Sequence, residues 1–246
     1  MSKKMQVAVG LGLMFLFMPI KVSAMHIMEG FLQPGWCIAW GAITIPFVLL
    51  GFFSIKKTID EKPRLKILLA MAGAFAFVLS ALKIPSVTGS CSHPTGLAFG
   101  AILFGPTAMT VFGVIVLLFQ SLLLAHGGLT TLGANAFSMA VVGPFVAYGI
   151  YKLVQRLKGP RWLAIFLAAT LGDLTSYMVT SIQLSLAFPS EVGGVVASLY
   201  RFMGIFAVTQ IPLAISEGIL TVVIFNVLAS YSKEELKDLN LLTSEG

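Results

Sequence analysis

From Phe31 to Ala229 the chain is a succession of apolar stretches, parted by short polar segments whose basic residues fall almost entirely on alternate sides. In order the stretches are 31–54, 65–82, a short one at 96–104, then 107–125, 136–157, 162–188 and 205–229. About 20 apolar residues cross the hydrocarbon of a bilayer as a helix, and a helix satisfies its own backbone there. The pattern predicts an all-α integral membrane protein with seven transmembrane helices, the third one short. Charged residues make up 11% of the chain, against about 25% in soluble domains.

The basic residues set the orientation. With the mature N-terminus outside, the inner segments hold Lys56, Lys57, Lys62, Arg64, Lys66, Lys152, Arg156, Lys158, Arg161, Lys233 and Lys237. The outer ones hold only Lys83 and Arg201. This is the positive-inside asymmetry, and it makes the C-terminus cytoplasmic. The net charge of +6 is therefore a matter of membrane orientation, not of a surface that follows a phosphate backbone. The chain shows no internal repeat, which disfavours an inverted-repeat secondary transporter.

Residues 1–24 read as a cleaved signal peptide. Lys3 and Lys4 form a basic start, Val7 to Met18 an apolar run, and Val22-Ser23-Ala24 a small-residue cleavage point. An uncleaved first helix is the alternative. With cleavage, residues 25–246 form a single membrane domain that begins at a free Met25 amine, with His26 in second place.

That dipeptide carries the chemistry. The Met25 amine and the His26 amide nitrogen close a five-membered ring around a metal ion, and the amide and imidazole close a six-membered one. Three nitrogens in one plane, completed by another imidazole, suit Ni(II) or Cu(II), and a strong in-plane field can also hold Co(II). Two other histidines, His93 and His126, lie on the same outer face. His93 is the preferred fourth donor, because its loop, Ser90-Cys91-Ser92-His93-Pro94, must fold against something. His126 is the competitor, and it suits an outer role that orients ligands, as do Thr130 and Asn135. A Cys91 thiolate and the Met28 thioether are further candidate donors. A Cys37–Cys91 bridge at the outer face is a separate option.

Asp173 and Glu217 are the acids expected at membrane depth. They serve either as a proton relay or metal path, or as structural partners of neighbours such as Thr175, Ser176, Thr209, Gln210 and Ser216. On the second stretch, Ala70 with Ala74 and Ala72 with Ala76 have the small-xxx-small spacing that lets helix backbones approach closely, whether against a partner subunit or inside this chain. A P-loop and the common hydrolase motifs are absent from the sequence, so any ATP hydrolysis belongs to a separate partner.

Several of these segments resemble the CbiM/NikM family. They are Met25-His26-Ile27-Met28-Glu29-Gly30-Phe31-Leu32, Gly89-Ser90-Cys91-Ser92-His93-Pro94-Thr95-Gly96, His126 to Asn135, Gly172-Asp173, and Thr209 to Ala214. The resemblance covers the whole mature chain. It implies the substrate-binding subunit of an energy-coupling-factor importer in the bacterial inner membrane, carrying Co(II) for cobalamin biosynthesis with no organic cofactor. It implies metal ligation by Met25, His26 and His93, and it implies as partners a CbiN-like small membrane subunit, a CbiQ-like coupling subunit and a CbiO-like ATPase. The alanine pairs resemble the surface that meets the coupling subunit. The nickel branch reads Pro-Asp where this chain has Met28-Glu29, which favours cobalt. A nickel importer of the same family and a stand-alone permease relaying protons through Asp173 and Glu217 are the alternatives.

Overall fold

The computed structural model describes residues 26–82, 84–85 and 91–241. The leader, its cleavage point, Met25 and Lys83 lie outside these residues. The described chain is helical apart from a two-residue antiparallel ladder in which Ile84 faces Ser92 and Pro85 faces Cys91. Its helices are α1 (Pro34–Glu61), α2 (Leu65–Ala81), α3 (Leu97–Phe104), α4 (Pro106–Leu123), α5 (Leu132–Arg156), α6 (Arg161–Ala187), α7 (Gly194–Tyr231) and α8 (Lys233–Asp238). Five of them, α1 and α4 to α7, are long and apolar enough to cross a membrane, and α2 is a shorter apolar helix.

Local chemistry sets the boundaries. Pro34 and Pro106 occupy the first helical turns of α1 and α4, where their fixed φ and missing N–H cost nothing. Gly105, at φ +87°, separates α3 from α4. Two expected boundaries move. The charged segment after residue 54 continues α1 to Glu61, because Lys56 to Glu61 holds no breaker and Lys57 pairs with Glu61 one turn on. The segment between the stretches 162–188 and 205–229 is helical from Gly194 onward, so α7 runs 38 residues without interruption. Gly204, in open space on that helix, does not stop it. Pro212 is also tolerated inside α7, as prolines are in membrane helices.

Helices α5, α6 and α7 form the packed centre. Small residues bring them together: a side chain at Gly172 would strike Ala147, and one at Gly218 would strike Thr170 and Phe166. Helix α3 is buried along its whole length among α2, α4 and α5. At eight residues it is too short to span a bilayer. Helix α1 lies on α4 and α5 and turns Ile38, Ile45, Phe52 and Phe53 outward. The polar tail is partly structured: Leu236 of α8 is fully buried, and Lys62 donates to the Asp238 carbonyl.

Alanines 70, 72, 74 and 76 divide between two faces. Ala72 and Ala76 are completely buried within the chain, which removes them as surface contacts. Ala70 and Ala74 face outward and line an apolar groove with Gly73, Phe77, Phe112 and Phe119.

Candidate metal site

Three chain connections converge at one end of the bundle, and each carries a histidine. His26 precedes α1, His93 follows the two-residue ladder, and His126 follows α4. All three are buried, at 1%, 0% and 4% exposure. Their candidate ligand atoms lie within 4.8 Å of one another.

The geometry distinguishes the rings. His26 and His93 are stacked, with centroids 4.7 Å apart and planes 23° from parallel. His93 Nε2 lies 3.1 Å from His26 Nδ1. His93 Nδ1 lies 2.8 Å from the Pro94 carbonyl, which can only accept. That nitrogen therefore carries the proton, and Nε2 presents a lone pair toward His26. His126 stands across both rings at 61° and 66°, with centroids 4.5 and 5.1 Å away. Its backbone N–H is held by the Gln120 carbonyl.

A polar clamp fixes the segment carrying His26. Ile27 donates its N–H to Asn135 Oδ1 at 2.9 Å. The Ile27 carbonyl accepts from Asn135 Nδ2 at 3.0 Å and from the Thr131 hydroxyl at 2.6 Å. One turn further out, Glu29 accepts from the Thr130 hydroxyl at 2.6 Å and from its N–H at 3.1 Å. Those bonds hold the Glu29 carboxyl below its ordinary range, the hydroxyl contributing most. Gly128 makes this approach possible, since a Cβ there would lie 2.5 Å from Glu29 Cα. Just past Asn135, α5 opens into a π turn over Phe137–Val142; such turns recur at functional sites. Gln183 of α6 donates to the Ala134 carbonyl there.

Of the residues singled out from sequence, Asn135 holds the Ile27 backbone next to His26, and Thr130 holds Glu29. Thr131 was not anticipated, although it lies in the same polar stretch. Met28 sits on an exposed turn. Cys37 is a free thiol whose Sγ reaches the Leu32 carbonyl, so it forms no bridge to Cys91, and the Cys91 side chain lies outside the described structure.

The two acids expected at membrane depth are both buried, and each accepts from a different set of donors. Asp173 on α6 accepts from Gln210 Nε2 of α7, 3.2 Å from each carboxylate oxygen. Glu217 of α7 takes none of the neighbours expected for it. It accepts from the Thr95 N–H at 2.6 Å, the Thr95 hydroxyl at 2.9 Å and the Gly96 N–H at 2.9 Å.

A family model described as "Cobalt uptake substrate-specific transmembrane region" (CbiM) matches residues 26–235. The chain is 64% identical over 233 residues to a "Cobalt transport protein CbiM" of Chlorobium limicola, covering 95% of this chain and 91% of that one. It is 65% identical over 219 residues to a protein of the same description from Moorella thermoacetica, covering 89% and 85%. Among solved structures, a "transition metal transporter" superposes with a TM-score of 0.72 at 30% identity, covering 85% of this chain and 94% of that one. A truncated transition metal transporter gives 0.71 at 28% identity, with 84% and 99% covered.

Proposed function

The chain belongs to the CbiM family of cobalt-uptake transmembrane proteins, and from that premise we propose that it is the substrate-capture subunit of an ATP-driven energy-coupling-factor importer for Co(II). It is a multi-pass protein of the bacterial inner membrane. In the proposed arrangement the polypeptide crosses seven times, with the mature N-terminus outside and the C-terminus in the cytoplasm, as the basic residues favour. The imported cobalt supplies cobalamin biosynthesis.

The observation that carries this reading is the 3.1 Å separation of His26 Nδ1 and His93 Nε2. Two nitrogens bound at right angles to one ion, at about 2.0–2.1 Å each, stand about 2.9 Å apart. Nδ1 is also the His26 nitrogen that closes a six-membered ring with its own amide. The ligand set is then the Met25 amine, the His26 amide and Nδ1, and His93 Nε2, with the proton on His93 Nδ1 held by the Pro94 carbonyl. Nitrogen donors in a square suit late first-row ions. Cleavage after Ala24 is part of the reading, because it creates the amine.

Capture alone moves nothing across the membrane. A CbiO-like ATPase, a CbiQ-like coupling subunit and a CbiN-like small subunit complete the importer, with the outward face of Ala70 and Ala74 offered to the coupling subunit. Against a stand-alone permease stands the engagement of both intramembrane acids, Asp173 with Gln210 and Glu217 with the His93 loop. Nickel is the second reading: the same four nitrogens bind Ni(II) more tightly than Co(II), and the solved relatives are described only as transition metal transporters.

The deciding experiment is metal analysis and vesicle uptake with the N-terminally sequenced protein. Cobalt recovered with a mature Met25 end, and uptake that needs the ATPase and ATP, are the expected results. Proton-driven uptake by this chain alone would overturn the proposal.

A further inference from the structure

We propose that Glu217 is a positioning residue for His93: from the middle of the last long helix its carboxylate fixes the turn that carries this imidazole into the metal site. The inference rests on the reading of His93 as a metal donor.

The turn from His93 to Gly96 is short, and each part of it is held. The His93 ring is tied to the Pro94 carbonyl. Thr95 and Gly96 then present three donors in succession, two backbone N–H groups and a hydroxyl, and all three end on Glu217. Oε2 takes the Thr95 N–H, and Oε1 takes the Thr95 hydroxyl and the Gly96 N–H. Glu217 and Thr95 are 0% and 4% exposed, so water does not compete for these bonds. From the opposite side α2 closes the turn. Gly96 adopts φ +66°, and a Cβ on it would lie 2.8 Å from Ala76 Cα. The turn is therefore pinned between Ala76 and Glu217, and it cannot shift without carrying His93 away from His26.

This arrangement needs a carboxylate specifically. Two oxygens meet two backbone N–H groups, one on each. Glutamine has a single oxygen, so in either orientation its amide NH2 would face the N–H of Thr95 or of Gly96. A buried donor set against a donor costs both groups their partners, and the turn must move to relieve it. The link also connects ligand geometry to α7, the helix that Asp173 braces through Gln210. A displacement of α7 would thus be felt at His93 before it was felt at the clamp around Ile27, which is held by α5.

The test is a double-mutant cycle on the processed full-length protein, titrated with Ni(II) and separately with Co(II), with visible absorption recorded for each complex. Glu217→Gln is expected to weaken binding about 10- to 100-fold, the usual effect of removing a partner that orients a ligand, and to move the absorption toward that of His93→Ala. In a His93→Ala background, Glu217→Gln should add no further loss, because it acts only through that ring. Glu217→Asp, which keeps both acceptor oxygens, should recover part of the affinity. Should Glu217→Gln fail to fold, Thr95→Val removes one of the three donors and should give a smaller loss with the same spectral change. Wild-type affinity and spectrum in folded Glu217→Gln or Thr95→Val would overturn the inference, as would losses that multiply independently with His93→Ala. If His93→Ala itself binds metal as wild type does, the donor reading falls and takes this inference with it.

Discussion

His93 Nε2 lies 3.1 Å from His26 Nδ1, inside a pocket that leaves neither ring more than 1% exposed. His126 crosses both rings at a steep angle and does not stack with either. This asymmetry predicts unequal roles. His93→Ala should abolish tight metal binding, whereas His126→Ala should weaken it about 10- to 100-fold, as expected of a group that orients ligands. Metal titration of the two purified variants checks this. Equal, complete losses would make His126 a ligand as well.

In the proposed ligand set the amine is the donor that processing would create. Inserting one residue between the cleavage point and Met25 moves it out of the chelate while leaving His26, His93 and the clamp around Ile27 in place. Tight binding should disappear, and thermal stability without metal should be unchanged. In the native protein, affinity should rise with pH, because the amine, the amide and the imidazole must lose protons to bind. An inserted variant with native affinity would show that the amine takes no part.

Much of this was legible in the chain. The apolar stretches located each of the helices α1 to α7, because the bilayer fixes both length and polarity, although the end of α1 and the start of α7 were misplaced by seven and eleven residues. The order of His26, His93 and His126 along the chain, read with the basic residues, put all three on one face. What could not be read is distance. Nothing in the sequence says that Ile27 reaches Asn135, or that Glu217 crosses from α7 to Thr95; both are pairings between residues more than a hundred positions apart. The start of α7 was misplaced for a different reason. The segment from Pro189 to Arg201 reads as a Gly-containing loop, but its positive-φ glycines, Gly193 and Gly194, stand at the start of the helix and leave the residues after them helical. The alanine pairs shared one spacing and one implied role, and only a three-dimensional neighbour such as Gly96 could show that Ala76 faces inward.

The hydrogen bonds from Thr130 to Glu29 predict a pH-dependent latch on the N-terminal segment. The Thr130 hydroxyl, and then its N–H, hold the Glu29 carboxyl below its ordinary value of 4.5. A depressed carboxyl stabilises the folded segment above the ordinary value, and that contribution is lost as pH falls through the lowered one. Protection of the Thr130 amide from hydrogen exchange, taken relative to the intrinsic rate at each pH, should therefore be high at neutral pH and fall in acid. Thr130→Val removes the hydroxyl donor, so the loss of protection should begin at a higher pH. The same onset in both proteins would show that the clasp contributes nothing.

The pairing of Asp173 with Gln210 is best explained as a brace between α6 and α7. One amide nitrogen lies equally far from both carboxylate oxygens, and both side chains are buried. Gln210→Ala strips that partner from a buried carboxyl. The cost in a soluble interior would be about 1–3 kcal/mol, but hydrogen bonds between membrane helices average nearer 0.6 kcal/mol. A loss of about 1 kcal/mol is therefore expected in a denaturation assay in detergent, with a smaller loss of metal affinity than Glu217→Gln gives, because neither residue touches the His93 turn and both act on it only through α7. A relay would behave differently. Asp173→Asn keeps the size and one acceptor oxygen of the native side chain but carries no titratable proton, so it should leave capture and ATP-driven uptake intact if Asp173 is a brace. Uptake abolished in Asp173→Asn, with binding and stability preserved, would make Asp173 part of a proton path and reopen the permease reading.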